Sequence, residues 1–332
     1  MSLESMLLTS VTVQITARCN LLCSHCAVES SPRATTSWSQ EMVSELFNQL
    51  GQHTPILDLT GGEPMLEWDI LTSFGRQAAL RQMFWGLTTN GILLTDERID
   101  ELVSLDIYGI KVSMDGLAQR HDAVRGSGTF AKAGRAVERL VKKGVRVGVQ
   151  TAVSRHNQRD IPQLISTLDD LGITTLILFP LMPLGRQAGT PNAILSGQSL
   201  KRFILGLKEI STQQMRIHME LPHCASLLQE HPTDDKAQCG AGYMLHYTAG
   251  GQALPCPVFP LSLGNLVDDP IDTLMRHAVM EELRSRAGIG PPCSNCDSFA
   301  QCGGGCRAMA YLFSGDLRGP DPYCWLTDES TT

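Results

Sequence analysis

The chain has 332 residues, a net charge of −7 and 42% hydrophobic residues. That is long enough for one barrel-sized domain plus a smaller one, and it lacks the basic footprint that nucleic acid or an anionic membrane would need in a main partner. No apolar run reaches membrane-spanning length, and MSLESMLLTS has neither the basic start nor the apolar stretch of a signal peptide, so the sequence reads as cytoplasmic. Eleven cysteines at short spacings then point to metal rather than to disulfides.

In chain order, the first half alternates short β-rich runs with helix-period segments, the α/β pattern of strand–helix units around a parallel sheet. Strands are expected at Val11–Thr16, Ile56–Thr60, Phe84–Thr88, Gly109–Ser113, Val147–Thr151 and Thr175–Phe179. Helices are expected at Gln40–Leu50, Asp96–Ser104, Lys132–Lys143 and Ile161–Leu171. Gly51, Gly144 and Gly172 stand just past helix ends, and Ser37 with Gln40 reads as a capping box. After residue 180 turn formers dominate, one helix is expected at Leu200–Ser211, and residues 186–222 read as a bridge between a domain at 1–185 and one at 223–332. From Cys224 to Cys324 eight cysteines lie among glycines and prolines, with a strand at Tyr243–Thr248 and a helix near Thr273–Arg286. A segment this poor in apolar periodicity needs staples, which bound metal supplies.

Residues 19–26 read CNLLCSHC: Cys19, Cys23 and Cys26 are one thiol short of the usual set for a cubane iron–sulfur cluster, which leaves one iron open. The loop follows the first strand, so it lies at the carboxyl edge of the sheet, where parallel architectures place reactive groups. The second strand runs into Gly61-Gly62-Glu63-Pro64, whose glycines permit close approach of a ligand and whose carboxylate can accept from an ammonium group. Other readings stay open on residue chemistry alone. The three thiols with His25 would suit zinc, as would the two-residue cysteine spacings near the C-terminus. Gly61–Pro64 and Asn90-Gly91 taken singly are ordinary turns, Ser113 and Asp115 are helix-capping types, and Arg186 suits a solvated surface.

The pairing of CNLLCSHC with GGEP resembles the radical S-adenosylmethionine superfamily over roughly the first 180 residues. The resemblance implies a partial (βα)6 TIM-like barrel in which Cys19, Cys23 and Cys26 hold a [4Fe-4S] cluster. It implies that Gly61, Gly62, Glu63 and Pro64 bind the methionyl ammonium of S-adenosyl-L-methionine. Asn90 in Thr89-Asn90-Gly91, together with Ser113 and Asp115, resembles the later cofactor and substrate loops; Arg125, after His121 and Asp122, falls near the cofactor carboxylate or the substrate. The C-terminal cysteines resemble the SPASM extension, a Cys-rich iron–sulfur domain with two auxiliary [4Fe-4S] clusters, making three in all. By that resemblance Cys293, Cys296, Cys302 and Cys324 hold the outer cluster, and Cys239, Cys256 and Cys306 the inner one, with Cys224 as its fourth ligand or free.

The resemblance implies cleavage to a 5′-deoxyadenosyl radical and hydrogen abstraction from a peptide or protein side chain, with a flavodoxin- or ferredoxin-type electron donor. The first strand begins near residue 11, which leaves no room for a fused leader-recognition domain, so a peptide would come on a separate carrier or bind directly. The alternatives are the same chemistry on a tetrapyrrole or aminoglycoside-type small molecule, and a non-catalytic iron–sulfur electron carrier.

Overall fold

The apolar runs do pair as a parallel sheet. The computed structural model describes residues 8–188, 190–222 and 239–327, and Cys224 lies outside them. Among the described residues seven strands follow one another in chain order, each parallel to the next: β1 (Ser10–Gln14), β2 (Ile56–Thr60), β3 (Trp85–Thr89), β4 (Gly109–Ser113), β5 (Val147–Val153), β6 (Thr175–Pro180) and β7 (Arg216–Met219). Consecutive parallel order is that of a partial βα barrel. β8 (Met244–Tyr247) pairs parallel with the free edge of β1, and β9 (Gln252–Leu254) and β10 (Gly264–Asn265) continue the sheet antiparallel. The Cys-rich end is thereby fastened to the first strand of the barrel. β7 is a seventh strand that the sequence reading did not include; RIHM has no clean alternation to announce it.

One face of the strands is apolar throughout. Val11, Val13, Leu57, Leu59, Leu87, Ile110, Val112, Val149, Leu176 and Leu178 are wholly buried against the helices. Facing them are α1 (Gln40–Leu50), α2 (Trp68–Leu80), α3 (Asp96–Ser104), α5 (Thr129–Lys142) and α6 (Ile161–Asp170), which contribute Leu46, Phe47, Phe74, Leu102, Val137 and Leu164 among others. Because side chains alternate along a strand, Thr12, Gln14, Asp58, Thr60, Lys111, Ser113 and Gln150 fall on the opposite, inner face. There Lys111 Nζ reaches Asp58 Oδ1 at 2.9 Å, spanning from β4 to β2 across Gly86 of β3, where a Cβ would come 3.3 Å from that same oxygen.

Most expected helices form, with local differences. The N-cap of α1 is Ser39, whose side chain accepts from Met42 N; Ser37 instead contacts Thr16 Oγ1 at 2.6 Å and donates to Glu67 Oε1. Its hydroxyl is used across the chain rather than along it, which removes the capping box. Gly51, Gly144 and Gly172 do take left-handed φ of 56°, 70° and 78°. α4 (Ala118–Arg125) was not expected because it buries only His121 and so shows no apolar stripe. α2 was missed where the chain passes straight from the short 3-10 turn at Pro64–Leu66 into it without a side-chain cap. α5 starts three residues before its expected first turn because Asp122, from the preceding helix, accepts from Phe130 N and Gly128 N. α7 is Gly197–Leu207, and the expected helix near Thr273 is two, α8 (Ile271–Met275) and α9 (Ala278–Ser285), broken where His277 Nδ1 accepts from Val279 N. α10 (Phe299–Cys302) and α11 (Arg307–Ser314) close the described fold.

Phe74 packs its ring against both Trp38 and Phe47. Phe74→Ala is expected to lower the unfolding free energy by about 3–5 kcal/mol. Leu80→Ala, at a side chain 78% exposed, should change it by no more than about 0.5 kcal/mol. Urea denaturation compares the two, and equal losses would remove the aromatic cluster from its place in the core.

Candidate functional site

The cysteine loop leaves β1 at its carboxyl end and is pinned at its base, where Cys19 N donates to Ser31 O at 3.0 Å and Ser31 N to Ala17 O at 3.3 Å. Its far side is held by Ser24 N donating to Val124 O of α4. Cys19 and Cys23 are buried and Cys26 half-buried, and all three thiols are free. Burial pushes Cys19 up to about 12 and raises Cys23 as well, with the neighbouring thiols adding to both shifts. Thiols this hard to ionise become good ligands only when a metal displaces the proton. His25, the fourth donor of the zinc alternative, turns its Nε2 to Asp115 Oδ2 at 3.0 Å. Among the described residues no three His, Cys, Asp or Glu side chains converge on a point that would hold a single ion.

The GGEP turn lies against this loop. Gly62 N donates to Thr16 O and Glu63 N to Arg18 O, and a Cβ on Gly62 would sit 2.2 Å from Arg18 O, so only glycine passes. The Glu63 carboxylate is wholly buried and accepts from Met65 N at 3.1 Å, Thr89 Oγ1 at 2.7 Å and Asn90 N at 2.8 Å. Burial pushes its pKa up, and those three donors pull against that shift. Glu63 is thus committed largely to protein donors, binding the loop after β2 to the loop after β3, and Pro64 opens the short turn that follows. Asn90 carries the link onward, its Nδ2 donating to Asn20 Oδ1 inside the cysteine loop at 2.8 Å. Ser113 ends β4.

On the other side of the loop stands Asp115. Its Oδ2 accepts from Arg125 Nε at 2.6 Å and lies against His25, while Oδ1 accepts from Ala152 N at 2.9 Å. Burial alone would raise its pKa, but Arg125 and His25 outweigh burial and hold the carboxyl well below the usual carboxylate range. His121 Nδ1 accepts from Asp115 N, and burial lowers that imidazole to about 4, so it is neutral. Asp122 serves as the cap of α5. Arg186, read from sequence as equally suited to open solvent, instead clamps the cysteine loop: Nε donates to Cys23 O at 2.6 Å, Nη1 to Ser30 O at 2.9 Å, and its backbone N to Cys26 O. Gln187 Nε2 adds a bond to Ser24 O. The clamp needs Gly185, where a Cβ would stand 2.4 Å from Cys26 O. No spacing in the sequence announces a residue 163 positions away, and only the glycine before it hints at close approach.

The C-terminal cysteines fall into two sets by their mutual electrostatic effects. Cys239 and Cys256 both raise Cys306, and Cys239 raises Cys256, which burial already pushes to about 12. Separately, Cys293 is raised by Cys324 and Cys296, Cys302 by Cys324 and Cys293, and Cys324 by Cys296, burial being the largest cause in each case. Asp321, wholly buried, stands beside both, accepting from Cys306 N at 2.6 Å.

Three free thiols stand on one loop at the carboxyl edge of the parallel strands, with the loops of the next two strands locked to it, which is where parallel α/β enzymes place their reactive groups. Residues 13–168 match the family model of the radical SAM superfamily, so the chain carries a radical SAM domain. It is 28% identical to an AdoMet-dependent heme synthase of Methanosarcina barkeri over 94% of each chain. It is 27% identical to the mycofactocin maturase MftC of Mycobacterium ulcerans, covering 95% of this chain and 87% of that protein. The fold matches anSMEcpe, solved with bound AdoMet and the Cp18Cys peptide, at a TM-score of 0.79 and 20% identity over 97% of this chain and 95% of that one. Radical SAM proteins bind S-adenosylmethionine and a [4Fe-4S] cluster, and the free thiols of Cys19, Cys23 and Cys26 are chemically suited to hold such a cluster. No helix of the described residues is long and apolar enough to cross a membrane.

Two outcomes follow from this geometry. Asp115→Ala leaves Arg125 and His25 facing an empty buried site and is expected to cost about 3–5 kcal/mol at pH 7. A depressed carboxylate stabilises above its unfolded pKa of about 3.9 and loses that contribution as the pH falls through its lower native value. The gap between wild type and Asp115→Ala in urea midpoint should therefore be flat from neutral pH down to about 5 and contract below about 3.9; a gap that widens in acid contradicts the assignment. Arg186→Gln removes the clamp from Cys23 and Ser30, and iron retained after gel filtration should fall while far-UV circular dichroism stays unchanged.

Proposed function

We propose that this enzyme oxidises a bound peptide or protein side chain by hydrogen abstraction, and that the two C-terminal cysteine sets hold auxiliary [4Fe-4S] clusters that take up the electron the substrate gives up. The observation that carries the chemistry is the set of three free thiols on one loop, with Glu63 and Asn90 binding the next two strand loops to it. When bound, S-adenosylmethionine and the reduced cluster supply a 5′-deoxyadenosyl radical, which takes a hydrogen atom from an unreactive carbon.

The chain's own work is to hold and orient. Arg186 and Gln187 fix the cysteine loop from one side, and the Asp115 hub fixes it from the other. The glycines of the GGEP turn let backbone approach the cofactor, and Pro64 stiffens the turn's exit. Ser113 and Asp115 stand at the end of β4, and Arg125 is held between Asp115 and the field of Cys23. The inner face of the barrel, lined by Thr12, Gln14, the Asp58–Lys111 pair and Gln150, offers donors and acceptors along its height. Such a lining suits a polar chain with amide groups, which is why the peptide reading stands first. Burial of the site keeps water and stray hydrogen donors from the radical. Electrons come from a flavodoxin- or ferredoxin-type donor, and the peptide arrives on a separate carrier protein or binds directly.

A second reading, the same chemistry on a tetrapyrrole, is favoured by the likeness to the heme synthase over nearly the full length of both chains. Anaerobic incubation of the reconstituted enzyme with reductant and S-adenosylmethionine is expected to yield 5′-deoxyadenosine, and Cys19→Ala to reduce it to background. Mass spectrometry of parallel incubations with candidate peptides and with iron-coproporphyrin then decides the substrate class. A mass change confined to the porphyrin replaces the first reading by the second, and absence of 5′-deoxyadenosine with a fully loaded enzyme removes both.

A further inference from the structure

We propose that Tyr323 is a positioning residue for the barrel's cysteine loop. Its hydroxyl holds one end of segment 181–187, the other end of which grips that loop, so the C-terminal tail tightens the hold of Cys19, Cys23 and Cys26 on their cluster. This rests on the reading of those three thiols as cluster ligands and goes one step further, to what keeps their loop in place.

The tail is seated from two sides. Asp321, wholly buried, accepts from Cys306 N at 2.6 Å and from Tyr323 N at 2.9 Å, and its own carbonyl accepts from Cys324 N at 3.0 Å. Against the other side lies α7, where a Cβ on Gly197 would come 2.7 Å from Cys324 O and 2.9 Å from Trp325 N, and where Gln198 Nε2 donates to Trp325 O at 3.0 Å. Tyr323 sits between these two holds and is 1% exposed. A phenol hydroxyl buried this deeply requires a partner. It finds one 142 positions away, donating to Leu181 O at 2.7 Å.

Leu181 is the first residue past β6 and is itself buried. Its N–H donates to Val153 O, at the end of β5, at 2.7 Å. The barrel therefore holds the N–H side of this residue and the tail holds its carbonyl side. A bond to Leu181 O fixes the plane of the peptide unit between Leu181 and Met182, and with it the direction in which the chain sets off toward the cysteine loop. Little slack follows, since Leu184 N donates to Met182 O at 2.8 Å and Gln187 N to Leu184 O at 3.0 Å, closing a short 3-10 turn at Gly185–Gln187. From that turn Arg186 Nε donates to Cys23 O, Arg186 Nη1 to Ser30 O, Arg186 N to Cys26 O and Gln187 Nε2 to Ser24 O. The fit is close: a Cβ on Gly185 would stand 2.4 Å from Cys26 O. Asp321, Tyr323, Leu181 and Arg186 thus join the backbone at Cys306 to the backbone at Cys23 through hydrogen bonds and one stretch of five residues.

The test uses the reconstituted, anaerobically reduced holoenzyme. The cluster on the barrel loop is identified as the one whose electron paramagnetic resonance spectrum changes when S-adenosylmethionine is added, and its decay is followed in excess iron chelator. Tyr323→Phe removes one oxygen and no packing, and should speed that decay about threefold to tenfold, the range expected for the loss of one neutral hydrogen bond. Arg186→Gln should speed it as well, and adding Tyr323→Phe to Arg186→Gln should change it little further, because the tyrosine acts through the clamp. Ile165→Val, which takes a methyl group from the core at α6, should leave the decay as in wild type. Gly197→Ala, which pushes the tail from the α7 side, should act in the same direction as Tyr323→Phe and serves in its place if that variant does not fold. A decay unchanged in Tyr323→Phe or Gly197→Ala overturns the inference, as does an equal rise in Ile165→Val or an effect that multiplies fully with that of Arg186→Gln. A wild type with no spectrum responsive to S-adenosylmethionine removes the underlying reading of the three thiols, and the inference with it.

Discussion

Everything at the carboxyl edge of the barrel depends on two carboxylates that have been taken out of water. A buried carboxylate is tolerable only where donors replace its hydration, and Glu63 and Asp115 meet that demand with groups from loops far apart in sequence. Glu63 draws Thr89 and Asn90 of the β3 loop onto the turn after β2, and Asn90 passes the constraint to Asn20. Asp115 draws together His25, Arg125 and the backbone of Ala152. The cysteine loop lies between these two hubs with Arg186 across it, so its geometry is fixed by the barrel rather than by its own short sequence.

The electrostatics of the thiols agree with a metal-dependent site. Desolvation raises Cys19, Cys256 and Cys302 to about 12, so as thiols they stay protonated at neutral pH. Arg125 and Arg186 pull Cys23 the other way, and Arg307 does the same for Cys293. Arginine is suited to this role because it holds its charge when buried and donates in several directions at once. Each cysteine set of the protein thus has a guanidinium or a peptide donor set against the cost of its burial.

The two ends of the chain share one sheet. β8 lies alongside β1, with Thr12 opposite His246 and Val13 opposite Tyr247, and Trp38 Nε1 donates to Thr248 O at 2.9 Å. The strand carrying the first cysteine loop is therefore paired directly with the strand between Cys239 and Cys256. That pairing gives the barrel site and the C-terminal cysteines a fixed separation, which electron transfer between them would require.

What was legible in the sequence was whatever has a local period or a local spacing. Alternation in Val11–Thr16 and within Ile56–Thr60, glycines past helix ends, and thiols separated by three and then two residues each reflect contacts within a few positions along the chain. Ser37 misled because a hydroxyl near a helix start normally caps it, whereas here it bonds to Thr16 and Glu67 across a fold that sequence does not display. α4 was silent because a helix held by His121 and the Asp122 cap needs no apolar stripe. The sequence by itself determined the parallel α/β class, the cysteine loop at the end of β1 and the family those motifs indicate. Only tertiary structure decided that Arg186 clamps that loop, that Glu63 accepts from Thr89 and Asn90, and that Asp115 gathers Arg125, His25 and Ala152 N. These are contacts between segments tens to hundreds of residues apart, and they exist only once burial has removed water as the competing partner.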